Sequence, residues 1–367
     1  MQAVRSVLLH GAPTPVRAGL RALSLGAALA GTGCGTPGNS GDSGPDAPPP
    51  LPMPVANNAV AALETSTGWS VFSFLGIDST KLWSGVTTAS FRWDIGSPAW
   101  QAIEPPPGPG RLAATAQAFD GRIFLFGGYT VAEDGAEQSV PQVDILDPET
   151  GRWGRAAPMP VPVDDAVSGV WRDSLIFLVS GWHDSDNVAA VQIYDPERNA
   201  WEQATPIPGP PVFGHAGGIA GDAIVYIDGA RVQADPRTFV LEASSWLGRI
   251  DPLEPARIAW ERLPDHPGPG LYRAAAAGIG SRILFAGGSA NPYNYNGIGY
   301  DGRPAEPWAG AFAFDVATES WIAAEAPGTS TMDHRGIALA GDRTFIVGGM
   351  TAGQQVTEGL AELPVPD

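Results

Sequence analysis

The sequence predicts an all-β protein built from one repeated unit. The 367 residues include 47 Gly and 36 Pro, and no stretch keeps the apolar period of 3.6 that amphipathic helices require. Instead, short apolar runs rich in β-branched and aromatic residues end in Gly, and a turn followed by Trp comes later in each unit. Because 44% of the residues are hydrophobic, the chain can form a large core.

The clearest copy of the unit runs from residue 120 to residue 153. Its first half, residues 120–128, ends in a Gly pair, and its second half, residues 143–153, contains the turn Asp-Pro-Glu-Thr-Gly before Trp153. An apolar run bounded by Gly predicts a buried strand, and the Gly pair permits a close backbone approach where the chain leaves the sheet. In the turn Pro fixes φ, and the Trp begins the next strand by burying a large side chain.

Similar copies occupy the rest of the chain. The tryptophans that close them are spaced by about 50 to 60 residues, and they are Trp100, Trp153, Trp201, Trp260 and Trp321. A last copy, residues 342–349, has no Trp after it. A period near 50 with Gly-Gly and then Trp is typical of the kelch repeat, in which each unit is one four-stranded propeller blade. The sequence therefore predicts a six-bladed kelch-type β-propeller over residues 51–367.

Because the last copy lacks its Trp strand, another segment must complete the final blade. We expect the residues from Leu51 onward to supply the missing strand. Such a strand would close the ring and leave no free sheet edge.

The N-terminal residues differ from the repeats. In residues 1–34, three Arg stand unopposed by any acid and a short apolar stretch follows, which predicts a signal peptide, too short for a transmembrane helix. Cys34 is the only cysteine and follows small residues, in a position that resembles the lipobox of bacterial lipoproteins. We expect Cys34 to be the lipidated mature N-terminus, with ordinary secretion as the alternative. The Gly/Pro/Ser-rich residues 35–50 predict a flexible linker.

These features predict an exported protein at the bacterial cell envelope, in the periplasm or on the outer membrane, which touches the membrane through its lipid anchor only. The net charge of −18 argues against nucleic acid as a partner. The sequence lacks a Cys-His metal spacing, a Gly-x-Ser-x-Gly elbow and a phosphate-binding Gly-Lys loop. We therefore expect no metal, no cofactor and a monomer.

In a propeller the innermost strand of each blade lines a central channel, so polar residues just before the inner strands are candidate ligand contacts. They are Asn57, Asn58, Arg111, Asp164, Asp165, His215, Tyr272, Arg273, Asp333, His334 and Arg335. The alternative is that these residues cap strand ends and pair with one another. The Tyr- and Asn-rich residues 291–297 could contact a sugar or a protein, or could pack their tyrosines against the rim.

Several segments resemble the N-acetylneuraminate epimerase (sialic acid mutarotase) family. They are Leu-Pro-Met-Pro-Val at 51–55, Pro-Gly-Arg at 109–111, the Tyr/Asn/Gly-rich stretch after Gly288, and the ending at 348–353. The proteins of this family are exported six-bladed propellers that interconvert the anomers of sialic acid. The resemblance implies a pocket for an acidic sugar, with Arg111, Arg237 and Arg335 at or near the family's arginines, which can hold a carboxylate.

The resemblance also identifies a departure at the catalytic position. Mutarotation needs groups that take and give protons, and the family carries a Glu just after the Gly pair slot of its fourth blade. Here that slot is Asp228-Gly229 and the next residue is Ala230, which cannot transfer a proton. Asp228 and Asp165 are the remaining candidates for catalysis.

The sequence thus predicts a glycan- or protein-binding module, with an acidic sugar or a surface glycan or protein as its partner. The alternative is an epimerase-like mutarotase, an isomerase. The candidate ligand-binding residues are Arg111, His215, Arg237, Arg273, Tyr295, His334 and Arg335.

Overall fold

A computed structural model describes residues 48–366 of the chain. The predicted signal peptide, the lipidation of Cys34 and nearly all of the predicted linker lie outside these residues. Within them, six antiparallel sheets follow one another around a common axis, so the predicted six-bladed all-β propeller is confirmed. No helix in residues 48–366 is both long and apolar enough to cross a membrane.

Each blade has its strands in chain order from the axis outward, here named inner, second, third and outer. Blades 1 to 3 comprise Ala59–Thr65, Gly68–Phe74, Ser90–Asp94 and Gln101–Ala102; Thr115–Phe119, Arg122–Phe126, Val143–Asp147 and Arg152–Arg155; and Val167–Trp171, Leu175–Val179, Val191–Asp195 and Ala200–Ala204. Blades 4 to 6 comprise Ala216–Ala220, Ala223–Ile227, Ser245–Ile250 and Ile258–Arg262; Ala275–Ile279, Arg282–Ala286, Ala311–Asp315 and Ser320–Ala323; and Ala338–Ala340, Arg343–Val347 and Leu360–Leu363.

The segments that join second to third strands all lie on the face where the inner strands begin, which we name the cap face. They form four two-stranded ribbons, Tyr129–Val131 with Glu137–Ser139, Trp182–His183 with Asp186–Asn187, Ala230–Ala234 with Arg237–Leu241, and Met350–Thr351 with Gln355–Val356. Two short 3-10 helices, Trp83–Gly85 and Ala352–Gln354, also lie there. On the opposite face, the mouth face, tight turns join inner to second strands.

Two residues after the second strand of each blade, a Gly contacts the next blade. Its backbone N–H donates to a carbonyl in the segment that leads into the next inner strand, and the six pairs are Gly76 to Arg111, Gly128 to Val163, Gly181 to Val212, Gly229 to Leu271, Gly288 to Thr331 and Gly349 to Val55. At Gly128, φ is +87° and a Cβ atom would lie 2.5 Å from the carbonyl oxygen of Leu112. Only Gly fits such a left-handed position against a neighbouring backbone, which explains the repeated glycines.

The repeated tryptophans hold neighbouring blades together. Each lies on an outer strand and donates its indole N–H to a carbonyl just after the outer strand of the preceding blade, in the pairs Trp153 to Glu104, Trp201 to Ala157, Trp260 to Thr205 and Trp321 to Pro264, at 2.8–3.3 Å. Each Trp therefore combines apolar burial with one satisfied polar group.

The predicted closing strand is wrong. Within residues 48–366, blade 6 has three strands, and its outermost strand, Leu360–Leu363, has no further strand paired with its outer edge. The N-terminal residues instead replace the connecting segment that precedes an inner strand elsewhere: Trp100 donates to the carbonyl of Pro49, and the N–H groups of Leu51 and Val55 donate to Glu358 and Thr357. The ring is therefore closed by a connecting segment. Residues 51–56 lead from the outer edge of the propeller to its axis, so they do not lie alongside Leu360–Leu363 as a fourth strand.

Candidate functional site

A ring of six backbone segments closes the channel at the cap face. One residue from each blade entrance has a left-handed conformation with φ between 54° and 74°, namely Asn57, Ala113, Asp165, Gly214, Arg273 and Asp333. N–H groups of Asp165, Gly214 and Arg273 donate to the carbonyls of Ala113, Asp165 and Gly214, and the N–H groups of His334 and Asn57 continue the ring to Arg273 and Asp333. The side-chain oxygen of Asn57 accepts from the N–H of Ala113 and completes it.

A charged network of four side chains fills this ring, and we call it the floor of the channel. Arg273 donates to both oxygens of Asp165 at 3.1 and 2.8 Å and to Asp333 at 3.0 Å. Arg335 lies 2.8 Å from Asp165 and 3.4 Å from Asp333. All four side chains are at most 3% exposed. Two cations therefore balance two anions, in agreement with the alternative interpretation in which these residues pair with one another.

Burial and pairing act against each other within the floor. Burial disfavours the charged form of Arg273, but Asp165, Tyr272 and Asp333 outweigh it and hold the pKa of Arg273 well above its usual value. Burial raises the pKa of Asp333, although Arg273 and Arg335 oppose this. Arg273 also lies 4.9 Å from the ring centroid of Tyr272. Such a network is stable only while each charge keeps its partners.

An apolar cluster lies directly over the floor on the cap face. Its buried members include Tyr129, Trp182, Phe213, Tyr272, Tyr293 and Met350. Of the Tyr-rich residues 291–297, Tyr293 is fully buried and Tyr295 is 7% exposed, and both belong to this cluster. These tyrosines pack against the rim, as in the second interpretation of that segment, so they offer no stacking face to a ligand. The channel is blind at this end.

Two histidines line the channel beside the floor. The Nε2 atom of His215 lies 2.9 Å from the carbonyl oxygen of Val179, and the Nε2 atom of His334 lies 2.9 Å from the hydroxyl of Thr331. Burial lowers the pKa of His215 to about 4 and that of His334 to about 3. Both imidazoles are therefore uncharged at neutral pH. Among residues 48–366, no three His, Cys, Asp or Glu side chains form a group that could hold a metal ion.

Three of the predicted ligand contacts lie away from the channel. Arg111 is buried within blade 2, 2.6 Å from Asp144. Arg237 is exposed on the ribbon of blade 4, where it donates to the carbonyl of Ser185. Tyr295 lies in the apolar cluster of the cap face. Of the predicted set, the structure brings together Asp165, His215, Arg273, His334 and Arg335 at the floor.

The catalytic candidate Asp228 does not line the channel. One of its oxygens accepts from the backbone N–H of Leu271 at 2.7 Å and lies 2.8 Å from Nε2 of His266. Burial raises the pKa of Asp228, and its His266 contact opposes the shift. Ala230 is fully buried and pairs with the backbone of Phe213 beneath the cap face. Asp228, which follows the second strand of blade 4, therefore contacts the segment that leads into blade 5 and does not face the channel.

The channel itself is a cavity of about 940 Å³ between the inner strands. Small residues form most of its wall, including Ala61, Ala116, Gly169, Gly217 and Ala277. The wall also carries a polar strip on blades 2 and 3, where Gln117 donates to the hydroxyl of Ser168 at 2.8 Å. Because these residues have short side chains or none, the cavity along the axis stays open and leaves space for a ligand.

The open end of the channel carries residues that the sequence analysis missed. A belt of partly exposed apolar side chains lines it, namely Leu63, Trp69, Phe119, Ile219 and Leu339. Beyond the belt, the exposed Asp120, Asp173 and Glu197 face a single exposed arginine, Arg122, among the lining residues. We call the belt and these charges the mouth. Their common signal is a position at the end of an inner strand or in a turn of the mouth face, rather than before the inner strand.

The class defined by this fold and channel is the six-bladed β-propeller. The family model for the Kelch motif matches residues 110–160, which contain the clearest copy of the repeat. The solved structure of YjhT is similar with a TM-score of 0.70 and 18% identity, covering 87% of this chain and 97% of that one. This likeness shows the fold. No curated protein matches the sequence, whereas 613 solved chains match in structure, so the fold alone does not select one activity.

Proposed function

We propose that this protein is a binding module that takes a glycan into its central channel through the mouth. The observation that carries the proposal is the contrast within one cavity of about 940 Å³, whose charged floor is sealed while its open end presents apolar and polar groups to solvent. A cavity of this size suits a sugar of a few rings. Ligand sites of this kind combine aromatic surfaces with a few fixed polar groups.

The mouth offers both kinds of contact that a sugar requires. Trp69 and Phe119 are partly exposed, and their rings can stack on the apolar face of a pyranose. The indole N–H of Trp69 has no hydrogen-bond partner among residues 48–366 and is available to a hydroxyl group. Gln117 and Ser168 add polar groups deeper in the wall.

The alternative function, an epimerase-like mutarotation, has weaker support. Of the two catalytic candidates, Asp165 alone lines the channel, and two guanidinium groups hold it. To act on a ligand, this carboxylate would have to give up buried contacts with Arg273 or Arg335. The two histidines beside it are uncharged and are weak bases at neutral pH, since burial lowers their pKa values to about 4 and about 3.

The proposal retains the expected location at the cell envelope. A lipid on Cys34 and the linker of residues 35–50 would tether the propeller to a membrane, and an accessible mouth would then sample glycans in the surrounding space. Mass spectrometry of the mature N-terminus tests this part separately, because an unmodified N-terminus downstream of Cys34 excludes the anchor.

The binding proposal is tested by calorimetric titration of the full chain with a panel of oligosaccharides. Trp69→Ala should weaken binding by about tenfold or more, which corresponds to about 1.4 kcal/mol, because the stacking face is lost. Trp83→Ala is the matched control, since Trp83 is 42% exposed on the cap face and should not contribute.

Two results would contradict the proposal. If no sugar of the panel binds, or if the Trp83 variant loses as much affinity as the Trp69 variant, the channel is not a glycan site.

The mutarotase alternative is followed by NMR on freshly dissolved N-acetylneuraminate. Anomer exchange clearly faster than in buffer, and lost in Asp165→Asn, would favour the enzyme.

A further inference from the structure

We infer that the channel selects uncharged glycans and excludes acidic sugars. This inference rests on the proposed glycan site and names the class of ligand it takes. It differs from the acidic sugar that the sequence resemblance implies. Three independent features of the cavity support it: the pairing of the floor, the charges of the mouth and the chemistry of the wall.

Both cations of the floor are already paired with carboxylates, and among the described residues only the Nε–H of Arg335 lacks a hydrogen-bond acceptor there. Arg273 already binds Asp165 and Asp333, and Arg335 lies within 2.8 Å of Asp165. A carboxylate that took either guanidinium group would compete with Asp165 and Asp333, which would then share the one remaining buried guanidinium group, and this is unfavourable. Arg111 and Arg237, the other arginines that the resemblance points to, lie outside the channel. Arg111, Arg273 and Arg335 are therefore structural partners of the protein's own carboxylates.

The mouth is negative. At the mouth the cavity lining contains three carboxylates, Asp120, Asp173 and Glu197, against the one guanidinium group of Arg122. The two histidines of the lining add no charge at neutral pH. Apolar walls focus the field of charges at an opening, and the chain as a whole carries −18. An anion therefore meets repulsion on approach, and an uncharged sugar does not.

The wall suits an uncharged ligand. Ala and Gly residues form most of the wall, and the neutral side chains of Gln117 and Ser168 form its polar strip. Neutral amide and hydroxyl groups can exchange hydrogen bonds with sugar hydroxyls without desolvating a charge. The rings of Trp69 and Phe119 at the mouth act equally on charged and uncharged sugars, so the discrimination comes from the carboxylates.

The test uses ligand pairs that differ only in charge. The full chain is titrated at low salt with N-acetylneuraminate and its methyl ester, and with trigalacturonate and its methyl ester. We expect each uncharged ester to bind at least tenfold more tightly than its acid, with a smaller difference at high salt because salt screens exposed charges. Equal or tighter binding of the acids would overturn the inference and leave the proposed function intact. Binding of none of the four, and of no neutral oligosaccharide, would overturn the proposed function itself.

Matched charge variants separate the mouth from the net charge. Asp120→Asn, Asp173→Asn and Glu197→Gln together should reduce the preference for the esters severalfold, measured as the ratio of the ester affinity to the acid affinity. The control combines Glu133→Gln, Glu325→Gln and Glu358→Gln, three exposed residues outside the channel lining, and changes the total charge equally. If the mouth variant and the control behave alike, the mouth carboxylates do not select the ligand and the inference is wrong.

Discussion

The floor and the mouth of the channel both carry aspartates and arginines, but they use them in opposite ways. At the floor, Asp165 and Asp333 each contact two guanidinium groups, and all of these groups are buried. At the mouth, Asp120 and Asp173 are exposed. Burial forces charges to pair, because an unpaired buried charge costs several kcal/mol, whereas water tolerates unpaired charges at low cost. The floor is therefore built for stability and the mouth is free to meet a ligand.

The largest effect is expected at the floor. Arg273→Met should lower the free energy of unfolding by about 3–5 kcal/mol, because the two buried carboxylates of Asp165 and Asp333 would then be left with the single guanidinium group of Arg335. Urea denaturation measures it. The control is Arg249→Met, whose guanidinium is 45% exposed and contacts Glu261 and Glu319, and for such surface pairs a change below about 1 kcal/mol is expected. Equal small losses in both variants would show that the floor is no more structural than the surface.

A second prediction concerns the effect of pH on the two histidines beside the floor. The pKa values of His215 and His334 are lowered in the folded protein, to about 4 and about 3, from about 6.5 in an unfolded chain. As the pH falls, these histidines are protonated in the unfolded state before they are protonated in the folded state. Their contribution to the free energy of unfolding is therefore fully present above about pH 6.5 and decreases as the pH drops below that value. Each histidine should contribute a loss of up to about 1.4 kcal/mol per pH unit between about pH 6 and pH 4.

The variant His334→Asn isolates this contribution. Urea unfolding at pH 7, 6 and 5 should show a shallower decline in the variant than in the wild type, since one of the two buried imidazoles is gone. Other titrating groups are common to both proteins and cancel in the difference. Parallel declines would mean that His334 is protonated in the folded state, and that the floor is more open to water than its burial indicates.

Much of the fold follows from the sequence because its determinants are local. Each Gly that donates to the next blade and each outer-strand Trp acts at a fixed place in its own repeat, so the repeat identifies the blades directly. The closing segment was predicted as a strand because blade 6 lacks one. Its actual course depends on Trp100, which contacts Pro49 as the other tryptophans contact their preceding blades, and this equivalence is visible only in three dimensions.

The candidate site was predictable in part. Asp165, Arg273 and Asp333 were found because they precede inner strands, and their mutual pairing was one of the interpretations considered. Arg111 was grouped with them, but its carbonyl accepts from Gly76 as that of Val163 accepts from Gly128, so it lies two residues before the ring position of its blade. The mouth was missed because its residues come after the inner strands, where a turn and a ligand site look alike in sequence.

The most direct test of the whole account is a crystal structure of the protein with an uncharged trisaccharide that binds it. The account predicts sugar density in the channel against Trp69 and Phe119, with Asp165 still paired to Arg273 and Arg335 as in the free protein. Density for the sugar on the guanidinium group of Arg335 with Asp165 displaced, or on the cap face outside the channel, would contradict the division between a structural floor and a recognising mouth.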